Sequence, residues 1–142
     1  MIRIFKPLVT VLLSTLILVS ASCSKAPDTS AQDITAVTYA ADTELGEGSK
    51  TAVVEVKNEE QIITFTIHTD ADTVGDALLE NGLVEGEAGE YGLYIKSVNG
   101  IIADYDTDQT YWAFYIDGEY ATSGVDTTPV TEGAVYRLER TK

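Results

Sequence analysis

The stretch QIITFTIHTDADTVGDALLENGLV, residues 61–84, changes its hydrophobic period once, near Asp70-Ala71-Asp72. Before that point Ile63, Phe65 and Ile67 alternate with Thr64, Thr66 and His68, the period of a strand with one buried face. After it Val74, Ala77 and Leu78 fall on one stripe at helical spacing. Asp72 or Thr73 can cap that helix, and Asp76, three residues beyond Thr73, completes a capping-box-like pair. Gly82 supplies the stop. One strand followed at once by one short helix asks for a sheet that the helix can cover.

TAVVEVKN (51–58) alternates with Val54 and Val56 on one face and joins the strand at 61–69 through KNEEQ, which predicts a hairpin. Past the helix, EGEAGE (85–90) is expected to be an acidic glycine loop. YGLYIKSV (91–98) then meets Asn99-Gly100, the strongest short hairpin signal, and returns as IIADY. A second such signal, Asp117-Gly118, pairs Ile116 with Glu119, Tyr115 with Tyr120 and Phe114 with Ala121. The last strand, AVYRLERT (134–141), follows the turn TTPVTEG. The expected fold class is α+β, a β-grasp-like curled mixed sheet of about five to six strands around one short helix.

The N-terminal third reads differently. Arg3 and Lys6 precede an uncharged stretch, Pro7–Ser22, whose apolar middle is too short for a permanent span and ends in small residues. Cys23, the single cysteine, stands directly after Ser20-Ala21-Ser22. This window resembles the lipobox of bacterial lipoproteins, with Ser20 where that family more often has Leu. The resemblance implies cleavage before Cys23, diacylglycerol on its sulfur and a chain held at the extracellular face of the cell membrane. The expected organisation is a signal peptide over 1–22, a lipidated N-terminus with a flexible acidic linker over 23–50, and one domain over 51–142. As a coil, such a linker holds the domain on the order of 30 Å from the membrane.

Composition narrows the function further. The whole chain carries a formal charge of −14. Without Arg3 and Lys6 the balance is 7 basic against 23 acidic residues, which repels nucleic acid and anionic headgroups, so no nucleic-acid partner is expected. His68 is the only histidine and has no motif around it, so no Ser/His/Asp arrangement exists beyond it. Asp104–Asp108 clusters carboxylates as a calcium loop does, but Gln109 and Tyr115 stand where an EF-hand needs Gly and Glu. Neither an enzyme nor a metal site is expected.

Aromatic residues are the remaining signal. In TYWAFYIDGEYATSG (110–124), alternation sends Trp112, Phe114 and Ile116 one way and Tyr111, Ala113 and Tyr115 the other. The first set is expected in the core. The second, with Tyr120 opposite Tyr115 and Tyr94 on a neighbouring strand, is either a solvated face packed for strand geometry or a ligand-binding face.

GLYIKSVNG (92–100), YWAFYIDGEYATSGV (111–125) and EGAVYRLE (132–139), with the strand and helix at 63–82, resemble the β domain at the C-terminus of transcobalamin and intrinsic factor. Bacterial lipoproteins carry the same domain. The family motif positions here include Trp112, Phe114, Gly118 and Gly133. Asp117-Gly118 replaces the family's usual Asn-Gly, and Gly133-Ala134 its Gly-Asp. The resemblance implies a non-enzymatic binding module for cobalamin or another corrinoid, acting with a transporter or other surface protein. It has no helical barrel of the kind that closes the site in those proteins. The alternative is a protein or glycan interaction module at the envelope.

Overall fold

The structure, a computed structural model, describes residues 37–142. The expected signal peptide, Cys23 and the first part of the linker lie outside those residues. Strands β1 (Thr43–Gly46), β2 (Lys50–Asn58) and β3 (Gln61–Thr69) precede helix α1 (Val74–Glu80). Strands β4 (Val84–Gly89), β5 (Gly92–Val98) and β6 (Ile101–Ile102) follow, then a helical turn α2 (Tyr105–Asp108). Strands β7 (Tyr111–Ile116) and β8 (Glu119–Tyr120), a 3₁₀ turn at Val125–Thr127, and β9 (Val135–Thr141) complete the chain. Two open sheets result, one of six strands in the order β1-β3-β2-β9-β7-β8 and one of three in the order β4-β5-β6. The expected α+β class holds.

The hairpin β2–β3 runs in the register that the alternation requires, with Val54 opposite Phe65 and Val56 opposite Ile63. β9 lies parallel to β2 and antiparallel to β7, so the larger sheet is mixed. Its inner face carries Val54, Phe65, Ile67, Trp112, Phe114, Tyr136 and Leu138, all buried. Thr73 caps α1 by accepting from the Asp76 N–H at 3.1 Å, and Val74, Ala77 and Leu78 bury the helix stripe. The smaller sheet contributes Val84, Val98 and Ile101 to the same core.

Two expectations change. EGEAGE is not a loop: β4 occupies it, paired with β5 through a bulge at Glu85/Gly86. Gly86 permits this, since a Cβ there would stand 2.4 Å from the Tyr94 carbonyl oxygen. Acidic, glycine-rich composition hid one arm of a hairpin that closes between Gly89 and Gly92.

The domain also begins before residue 51. β1, inside the stretch expected to be linker, pairs parallel with β3, and Tyr39 meets Phe65 edge-on with centroids 5.7 Å apart. The anchor is Asn99. Its backbone takes the left-handed conformation of the Asn99-Gly100 turn, φ +52°, while its buried side chain accepts from the Tyr39 N–H at 2.8 Å and donates to the Tyr39 carbonyl at 2.9 Å. The Thr38 N–H donates to the Asn99 carbonyl. A residue chosen for its turn thus also mimics a strand partner for the incoming chain.

Asn99→Ala removes both bonds and is expected to cost about 1–3 kcal/mol, since the part-buried Tyr39 groups lose their partner. Urea unfolding and amide exchange check this: residues 38–46 should exchange faster in the variant, with the β2–β3 hairpin still protected.

Candidate functional site

β7 reaches the end of the larger sheet where the smaller one begins. Between Leu93–Ile95 of β5 and Tyr111–Phe114 of β7, with the loop 120–125 along one side, lies a cavity of about 270 Å³. Tyr94, Tyr111, Trp112, Phe114 and Tyr120 line it. Trp112 and Phe114 are core residues, 8% and 9% exposed, yet their free surface belongs to this cavity. Tyr94 and Tyr120 are exposed rim residues. The alternation of β7 is therefore as expected, but the division of labour is not: the inward aromatics form the wall and tyrosines form the rim.

Tyr115 stands outside this group. It faces Arg137 across β7–β9 and packs edge-on against Tyr120, with centroids 5.4 Å apart at 86°. Its part is to brace a rim residue. Gly118, φ +84°, completes the Asp117-Gly118 turn that brings Tyr120 back over β7. The Asp117 carboxylate accepts from the Val135 N–H at 2.9 Å, so this turn is tied to β9. Gly133, φ +84°, turns the chain into β9 and has open space around it.

One polar group in the wall has no partner. The Trp112 Nε1–H is buried without a hydrogen bond, a donor whose desolvation costs about 1–3 kcal/mol uncompensated. Such orphans are few among buried polar groups.

Tyr94 also borders a second, polar cavity of about 390 Å³ with Glu87, Lys96, Ile102, Asp104 and Asp106. Lys96 pairs with Glu87 at 2.8 Å, and this hydrogen bond holds its ammonium above the usual lysine range. The carboxylates of the DYDTD run serve the backbone. Asp104 caps α2, accepting from the Thr107 hydroxyl at 2.8 Å and from the Asp106 N–H at 3.0 Å. Asp108 accepts from the Thr110 hydroxyl and N–H and from Arg140 Nη2 at 2.7 Å. Among the described residues no three His, Cys, Asp or Glu side chains converge as metal ligands. His68 lies on the outer face of β3, near Thr51 and Glu44.

What sequence reading missed is the contribution of Leu93, Ile95 and the loop Ser123–Val125. None carries a motif, and only the approach of β5 to β7 makes them neighbours.

Asp104 and Asp108 are both held below the ordinary carboxylate value of 3.8, chiefly by the Thr107 and Thr110 hydroxyls respectively. A depressed folded pKa means that their contribution is present above about 3.8 and is lost as pH falls through the lower folded value. NMR titration of the carboxyls should place both midpoints below 3.8, and Thr110→Val should move that of Asp108 upward.

Residues 71–135 match a family model described as a domain of unknown function, DUF4430. A crystal structure of a candidate metal-binding protein from Ruminococcus gnavus ATCC 29149 is similar at 35% identity and a TM-score of 0.62, covering 66% of this chain and 98% of that one. Haptocorrin, crystallised in complex with Cbi, is similar at 21% identity and a TM-score of 0.50, covering 66% of this chain and 25% of that one. The present chain thus spans about a quarter of haptocorrin, and the likeness is one of fold. No curated protein sequence matches.

Proposed function

The chain carries a DUF4430 domain and belongs to one family with the Ruminococcus gnavus protein; on that premise we propose that it is a non-enzymatic ligand-binding module displayed at the cell surface. The observation that carries this reading is the gathering of five aromatic side chains from β5, β7 and β8 around one cavity. Pockets of this kind take ligands by apolar and stacking contact, with a few polar groups for orientation.

A corrinoid is the ligand class we assign. The fold likeness to haptocorrin in complex with Cbi favours it, and a flat macrocycle suits a wall of Trp112 and Phe114 with tyrosines at its rim. A cavity of about 270 Å³ holds only part of such a ligand, so the affinity of the chain alone is modest. A transporter or another surface protein would then receive or deliver the ligand. The metal-binding description of the Ruminococcus gnavus protein has less support here, because the clustered carboxylates Asp104 and Asp108 are engaged by Thr107, Thr110 and Arg140.

Display at the surface rests on Cys23 and the export-like segment before it. Lipid on that sulfur would anchor the chain, and Cys23→Ser should move the protein from the membrane fraction into the medium. Recovery of the variant in the membrane fraction would argue against the anchor.

Ligand binding is checked by titrating the mature chain with cobalamin and cobinamide while following the fluorescence of Trp112, the only tryptophan. Saturable quenching is expected. Tyr94→Ala should weaken it by about tenfold, roughly the loss of one aromatic contact, and Tyr115→Ala by less. No response at high micromolar corrinoid would sink the corrinoid assignment and favour a protein or glycan partner.

A further inference from the structure

The aromatic cavity is bordered by two strand edges that lose their partners partway along. β8 pairs with β7 only at Tyr115 and Ile116, and beyond them the Ala121 N–H donates to the Phe114 carbonyl at 2.9 Å. In an antiparallel ladder every second residue turns its N–H and C=O to the same side. Trp112, two residues before Phe114, therefore presents its backbone pair on the side that β8 has already left. β6 is equally short, meeting β5 only at Ser97 and Val98, so Leu93–Ile95 have no strand on that side. Both open runs line the cavity.

An open edge beside an apolar groove is the arrangement that accepts an extended peptide as an added strand, with main-chain bonds for affinity and alternate side chains in the groove. Charge selects the kind of peptide. Of the 9 basic and 23 acidic residues, Arg3, Lys6, Lys25, Asp28 and Asp33 precede residue 37, which leaves 6 against 21 in the folded part. Glu87, Asp104 and Asp106 lie just past Tyr94, and Lys96 beside them is already paired with Glu87. A second copy of this chain would bring the same charge and be repelled.

We propose that the open edge of β7 binds a basic, extended peptide segment of a partner protein, paired to the Trp112 backbone, with apolar side chains on Trp112 and Phe114. This goes beyond corrinoid binding. The two ligands would compete for one cavity, and each can be tested without the other.

The test uses the mature chain and four synthetic octapeptides: alternating lysine and valine, the same with glutamate for lysine, and two forms of the lysine peptide N-methylated on alternate residues, one in each register. Expected is saturable binding of the lysine peptide that slows exchange of the Trp112 backbone amide by at least about tenfold. The better-blocking N-methylated register should bind at least about tenfold more weakly, since it cannot complete the ladder. The glutamate peptide should not bind. Absence of binding by the lysine peptide, equal binding of the methylated forms, or equal binding of the glutamate peptide would each overturn the proposal. Equal binding of the methylated forms would mean charge adhesion without strand pairing.

Discussion

The inner face of the six-stranded sheet has to be covered, and α1 cannot do it alone. Six strands at about 4.8 Å spacing span roughly 24 Å, whereas a helix of 7 residues rises only about 10 Å. The remaining cover comes from the small sheet, through Val84, Val98 and Ile101. The aromatic cavity lies where that second cover approaches β7. Trp112 and Phe114 sit at this seam, which is why the same two side chains are both core and binding wall.

The same shortage explains the strand edges. β6 and β8 are two-residue strands, enough to close turns and too short to complete the edges they begin. Each stops because the chain is needed elsewhere: after Ile102 the Asp104-capped turn begins, and after Tyr120 the loop runs to the 3₁₀ turn at Val125. Behind β9 the structure is firmly tied. Tyr136 donates to the Pro129 carbonyl and accepts from the Thr131 N–H. Glu55 pairs with Arg137 and Lys57 with Glu139 across β2–β9. A sheet tied behind β9 and unfinished along β7 suits a site that must be preformed yet open on one side.

Ion pairing sharpens the electrostatic character of that border. Lys50, Lys57, Lys96, Arg137 and Arg140 each have a carboxylate partner. The field around the domain is consequently that of the many acids left over, and it favours cationic or neutral ligands over anionic ones.

The sequence alone determined the local elements wherever the signal was a short-range one. Alternation over 61–69, the Thr73 cap, and the two turn pairs Asn99-Gly100 and Asp117-Gly118 depend on residues within a few positions of each other. Composition misled twice: the acidic, glycine-rich run became β4, one arm of a tight hairpin with β5 whose turn carries no Asn-Gly or Asp-Gly signal, and Thr43–Gly46 became β1 because the distant Asn99 and Phe65 hold the segment just before it. The candidate tyrosines were legible from β7 and β8, and so was the facing of Tyr115 and Tyr120 across their turn, but not which of them would line one cavity. Only tertiary structure joined Tyr94 to Tyr120 and left Tyr115 outside, because the cavity exists through the approach of two sheets and no single strand encodes that approach.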